Sequence, residues 1–148
     1  GNTDNSLIYV AETINQQIRI YRRDASSGDL QEVASLALNT GLDNIDIDQA
    51  GNLWIGSHPK LLTFIKHANG EIPDAPSQVM QIPARTIELL LNGQQRSPDT
   101  DLFKEIYLSE GADLAVSSVA AVWQNRLLVG AVFDAKFLDC TMQTSHNP

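Results

Sequence analysis

The densest set of side chains able to hold a cation is Asp43, Asn44, Asp46 and Asp48, followed downstream by His58 in the run Ser57-His58-Pro59. Carboxylate and amide oxygens are the donors a hard cation such as Ca²⁺ prefers, and such a site takes about six to eight of them. On a regular strand successive side chains point to opposite faces, so Asn44, Asp46 and Asp48 would share one face while Asp43, Ile45 and Ile47 share the other. Asp43 and Asn44 can therefore meet on one cation only at the strand's beginning, where the loop from Thr40 and Gly41 can aim both. Two residues do not complete a calcium site. The same residue types also cap backbone groups at strand ends, and spacing alone leaves metal binding and turn chemistry both open. His58 ends a strand and opens a loop, a usual place for a residue at a pocket rim, although a lone histidine more often serves structure than chemistry. His67 leads into the turn signal Ala68-Asn69-Gly70 and His146 lies in a polar tail; neither is assigned a role. No Ser-His-Asp constellation, P-loop, HExxH or paired-cysteine zinc pattern occurs.

Short alternating runs bounded by Gly, Asn, Asp and Pro must position these residues, and they recur from end to end, whereas helix-period patterns are scarce. The chain reads as all-β. Strands are predicted at Ser6–Glu12, Gln17–Arg23 and Gln31–Leu38, then at Asn44–Asp48, Asn52–Gly56, Leu61–Lys66 and Ser77–Ile82, with Gln49-Ala50-Gly51 as a hairpin turn. A third group holds Lys104–Ser109, Val116–Trp123, Arg126–Phe133 and Phe137–Cys140. Four strands in about 40 residues is the size of one propeller blade. Residues 1–38 are read as the outer strands of one blade, 42–109 as a second blade with an insertion near 92–101, and 115–140 as a last, incomplete blade. Two hairpins repeat each other: Ile45–Gly56 (IDIDQAGNLWIG) and Val119–Gly130 (VAAVWQNRLLVG) both run strand, polar turn, apolar strand, Gly. Pro83–Asp101 breaks the pattern; Thr86–Leu91 reads as a helical turn or irregular strand and Asn92–Thr100 as an exposed loop. A chain organised this way leaves sheet edges unpaired, so a partner is expected to cover them.

Across 148 residues, 43% hydrophobic and 19% charged content fits one ordinary globular domain. No run approaches the roughly 18 apolar residues of a membrane helix, so no transmembrane segment is expected. A net charge of −8, with basic residues scattered singly or in pairs, repels a phosphate backbone and makes nucleic acid an unsuitable partner. Cys140 is the sole cysteine, so it is either a buried thiol or one half of a bridge to something outside the chain.

Together, Leu42–Asp48 (LDNIDID), Gly51–Pro59 (GNLWIGSHP), Ser118–Phe133 (SVAAVWQNRLLVGAVF) and Cys140 resemble the paraoxonase and arylesterase family, with a fainter match through Leu7–Glu12 and Ile18–Tyr21. The family's segments read much like V-D-N-I-S-V-D, G-D-L-W-V-G-C-H-P and T-V-A-S-V-Y-x-G-K-L-L-I-G-T-V-F. The resemblance implies the C-terminal half, about three blades, of a six-bladed β-propeller that carries Ca²⁺ in its central tunnel and hydrolyses lactones and aryl esters. It places calcium ligands at Asp43 and Asn44, a catalytic histidine at His58 and pocket-lining residues at Phe64, Ser118, Val132 and Phe133. The remaining calcium ligands and the proton-transfer histidines would lie upstream of Gly1, on the N-terminal half of the propeller as a separate chain. Cys140 matches the family's C-terminal half-cystine, which implies a bridge to that partner and a periplasmic or extracellular location. Ser57 departs from the pattern, standing where the family has a free cysteine. In such a site the calcium ion is a Lewis acid toward the ester carbonyl. The rival expectation is a non-catalytic propeller that keeps the metal as scaffold and serves as a binding module.

Overall fold

The computed structural model describes residues 1–93 and 101–142. Strands β1 (Leu7–Glu12), β2 (Gln17–Arg23) and β3 (Leu30–Ala37) form one antiparallel sheet in sequence order. A second sheet follows as β4 (Gly41–Ile47), β5 (Leu53–His58), β6 (Ser77–Ile82) and β7 (Lys104–Ser109), and a third as β8 (Ser117–Trp123), β9 (Arg126–Ala131) and β10 (Phe137–Thr141). Every pairing is between chain neighbours and antiparallel. The meanders pack face to face in the manner of propeller blades. The architecture is all-β, as the alternating runs predict.

One segment differs from the sequence reading, and a second settles between its two alternatives. Leu61–Lys66 is not a strand but most of helix α1 (Leu61–Ala68). Leu61, Phe64, Ile65 and Ala68 recur at helical spacing, and Lys66 and His67 place basic groups in the last turn, where the helix dipole favours them. The blade's fourth strand is consequently Lys104–Ser109, which pairs with β6 rather than joining β8. Ala84–Leu91 forms helix α2, held at its start by Asn52, whose Oδ1 accepts from the Ala84 N–H at 3.0 Å. Of the loop expected at Asn92–Thr100, residues 94–100 lie outside the described residues, as does His146.

The middle sheet is buried on both faces, and the two-residue period divides its side chains between two cores. Leu53, Ile55, Met80 and Ile82 face the first sheet, where they meet Ile18, Ile20, Leu36 and Leu38. Trp54 and Val79 face the third sheet and meet Ala120, Leu127 and Val129. Burial on two faces is why all six residues of β5 are buried, and why that strand reads as a near-continuous apolar run. A polar seam also joins the second and third sheets. The Ser117 Oγ accepts from the Gln78 N–H at 2.8 Å and lies 2.9 Å from the Gln78 carbonyl, while Ser77 Oγ accepts from the Ser117 N–H at 3.0 Å.

Candidate functional site

The Asp-Asn pair sits in a β-bulge. Leu42 faces Ser57 and Ile45 faces Ile55, so Asp43 and Asn44 together oppose Gly56 alone. One extra residue breaks the alternation expected of a regular strand, and both side chains reach the same neighbourhood. The repeated hairpin carries the same device: Ser117 faces Ala131 and Val119 faces Gly130, which leaves Ser118 as the extra residue. Ser118 is thus the repeat-equivalent of Asn44, and the two meet, the Asn44 Nδ2 donating to Ser118 Oγ at 2.8 Å. The same amide nitrogen lies 3.2 Å from Asp43 Oδ1. Gly56 is what allows the approach. A Cβ there would stand 2.3 Å from the Ser118 carbonyl carbon and 2.5 Å from the Val119 nitrogen.

His58, the last residue of β5, brings its Nε2 to 3.5 Å from Asp43 Oδ2. Its ring stacks on Phe64 of α1, centroids 4.3 Å apart and planes 12° from parallel. The expectation of a rim histidine is corrected: at 2% exposure His58 is buried beneath α1, because the segment after Pro59 folds back as a helix over the strand end. Its Nδ1 is buried without a hydrogen-bond partner among the described residues. The Asp43 pKa is lowered: burial opposes ionisation most strongly, but hydrogen bonds from His58 and Ser118, with the electrostatic attraction of the imidazole, together outweigh it.

Of the expected pocket residues, Phe64 lies against His58, and Phe133 lies 5.6 Å from the ring of His67, a residue the sequence did not single out. Val132 and Phe133 are exposed at the end of the third sheet. Ser118 aims its hydroxyl at Asn44. The other acidic residues part company with the pair. Asp48, at the far end of β4, accepts from the Ala50 and Asn52 N–H groups at 2.9 Å and from Trp54 Nε1 at 2.9 Å, which is turn chemistry. Asp46 lines a separate hollow with Tyr9, Ile45 and Ile47. A cleft of about 770 Å³ opens beside Trp54, Tyr107 and Cys140, and contains none of Asp43, Asn44 and His58. Cys140 is half-buried and, as the sole cysteine, has no bridging partner within the chain.

The pair's donors suit a hard cation. The Asp43 carboxylate is favoured in its ionised form, and the Asn44 amide turns its nitrogen to Ser118 and Asp43, so its carbonyl oxygen takes no part in those bonds. Among the described residues no cluster of three or more His, Cys, Asp or Glu side chains adds to it.

A model of the family described as Arylesterase matches residues 2–142. The chain is 31% identical over 140 residues to human serum paraoxonase/arylesterase 1, covering 94% of this chain and 35% of that protein. It is 28% identical over 140 residues to rabbit (Oryctolagus cuniculus) serum paraoxonase/lactonase 3, covering 94% and 35%, and 28% identical over 131 residues to chicken (Gallus gallus) serum paraoxonase/arylesterase 2, covering 88% and 33%. The chain thus spans about a third of the length of these relatives. With the family's match running from the first strand to the last and including the twin bulges and His58, the chain belongs to the arylesterase family.

Proposed function

We propose that this chain supplies part of the metal centre and one wall of the active site of a calcium-dependent hydrolase acting on lactones and aryl esters. The observation that carries the reading is the bulge that gathers Asp43 and Asn44 within reach of His58. Asp43 would give a charged oxygen to Ca²⁺ and Asn44 a neutral one. When bound, the ion would supply Lewis-acid polarisation of the ester carbonyl. The chain's own groups do the rest. His58 is held by Phe64 and by Asp43, an arrangement that fixes its ring and presents a proton-handling nitrogen beside the carboxylate. Phe64, Val132 and Phe133 offer apolar surface for an acyl or aromatic group. The remaining oxygens would come from propeller segments outside these 148 residues, expected on a partner chain.

One observation favours a second reading, a propeller in which the metal only staples the fold: His58 is nearly inaccessible and already engaged with Asp43. The test separates the two. In the complete protein, Asp43→Ala is expected to abolish both calcium binding and ester hydrolysis, Asn44→Ala to weaken both less, and His58→Gln to lower turnover while leaving calcium affinity nearly intact. Parent-like calcium binding by Asp43→Ala sinks the metal assignment; parent-like turnover by His58→Gln removes the catalytic role of His58; calcium binding without ester or lactone hydrolysis in the parent itself favours the staple.

The relatives' names place them in serum, which supports an extracellular or periplasmic location and a bridge from Cys140 to the partner segment. A thiol titration of the complete, unreduced protein is expected to find Cys140 unreactive until a reductant is added. A reactive thiol in the native protein overturns the bridge.

A further inference from the structure

We infer that Ser118 is a positioning residue for the metal ligands, fixing the Asn44 amide from the neighbouring blade. The inference rests on the calcium reading above. Asn44 is exposed and belongs to a short, freely rotating side-chain type, and within its own strand only the longer contact from Nδ2 to Asp43 Oδ1, at 3.2 Å, bears on which end of the amide faces a cation. Ser118 Oγ, 2.8 Å from Asn44 Nδ2, makes the shorter of the two contacts: it accepts the N–H and so holds the carbonyl oxygen turned the other way.

The backbone under Ser118 is built to keep the hydroxyl there. Ser118 is the extra residue of its bulge, and its carbonyl and the next nitrogen press on Gly56, where no Cβ fits. Two residues upstream, Val116 is fully buried at φ +59°, a left-handed conformation that a β-branched residue adopts only when its surroundings impose it. Its N–H reaches the Ala75 carbonyl at 3.3 Å and its carbonyl accepts from the Val132 N–H at 3.1 Å. The repeat thus sets equivalent residues of two successive blades against each other. One, Asn44, has the oxygen for the cation; the other, Ser118, orients it.

The experiment compares calcium affinity by titration calorimetry with unfolding temperature, measured in calcium and in chelator, for the complete protein and its Ser118→Ala, Ser118→Thr and Asp43→Ala variants. Loss of one hydrogen bond that orients a ligand is expected to weaken calcium binding about tenfold in Ser118→Ala. Ser118→Thr, which keeps the hydroxyl, stays within about threefold of the parent. Unfolding temperatures in chelator are expected to coincide, with Ser118→Ala falling behind only when calcium is present. Should Ser118→Ala fail to fold, Ser118→Cys, close in size but a poor acceptor, is read in its place. Parent-like affinity in Ser118→Ala alongside lost binding in Asp43→Ala overturns the inference and leaves the metal centre standing. An equal stability loss with and without calcium, or no rescue by Thr, reduces Ser118 to a packing residue and also overturns it. Parent-like binding by Asp43→Ala removes the metal reading on which the inference rests.

Discussion

The four polar residues of β4 divide into two jobs that their types do not reveal. Asp43 and Asn44 turn toward His58 and Ser118, while Asp48 closes a hairpin and takes the indole N–H of the buried Trp54 at 2.9 Å. The sequence showed where the donors are and kept both chemistries open; it could not show which residue does which, because alternation presumes a strand without bulges. Removing the Asp48 carboxylate leaves the Trp54 N–H without its acceptor, so Asp48→Ala is expected to cost about 1–3 kcal/mol in denaturant unfolding. The charge also sets a pH dependence. Burial opposes ionisation of Asp48 most strongly, but hydrogen bonds from Trp54, Asn52 and Ala50 prevail and lower its pKa in the folded state. A carboxylate lowered on folding contributes stability that is present above its unfolded pKa, near 4, and is lost as pH falls through the folded value. Stability should therefore decline below about pH 4, and less steeply in Asp48→Asn. An Asp48→Asn profile parallel to the parent's would show that this carboxylate does not govern the decline.

Among the elements, the hairpin repeat carries more information than its resemblance of strand and turn suggests. Gly56 and Gly130 end the two copies, and each is the residue that a bulge on the paired strand overhangs. That coincidence was readable in the sequence as an isolated glycine at the same place in two strands, a known sign of a bulge or close backbone approach. Helix α1 was hidden for a different reason: a short, mostly apolar run such as Leu61–Ile65 satisfies strand and helix alike, and only the spacing of Leu61, Phe64, Ile65 and Ala68 after Pro59 separates them. Gly56→Ala tests the close approach. The new methyl would meet backbone, not a flexible side chain, so β5 and β8 must move apart. The expected cost is about 1–3 kcal/mol, the range for overpacking a tight contact, together with weaker calcium binding as Asn44 loses Ser118. Unchanged stability and affinity would mean that the two sheets adjust without cost.

For the molecule as a whole, what must hold is the docking of one blade on the next, since each sheet buries its faces only against its neighbours. Between the first and second sheets that contact is aliphatic, and its residues were legible as alternating apolar positions. Between the second and third it is part apolar and part polar, and the polar part was not legible, because a serine on a strand gives no sign that its partner lies some forty residues away. Ser117 is fully buried and bridges both backbone groups of Gln78, whereas its neighbour Ser118 turns toward Asn44. Adjacent serines therefore serve different contacts of the same interface. Ser117→Ala would leave the buried Gln78 N–H without an acceptor, and such a group costs about 1–3 kcal/mol. The loss should appear as a lower denaturant midpoint at unchanged slope, because no surface newly exposed on unfolding is involved. It should be the same with and without calcium, since Ser117 makes no contact with Asp43 or Asn44 among its hydrogen bonds. A calcium-dependent loss in Ser117→Ala would show that blade docking and ligand orientation are one cooperative unit.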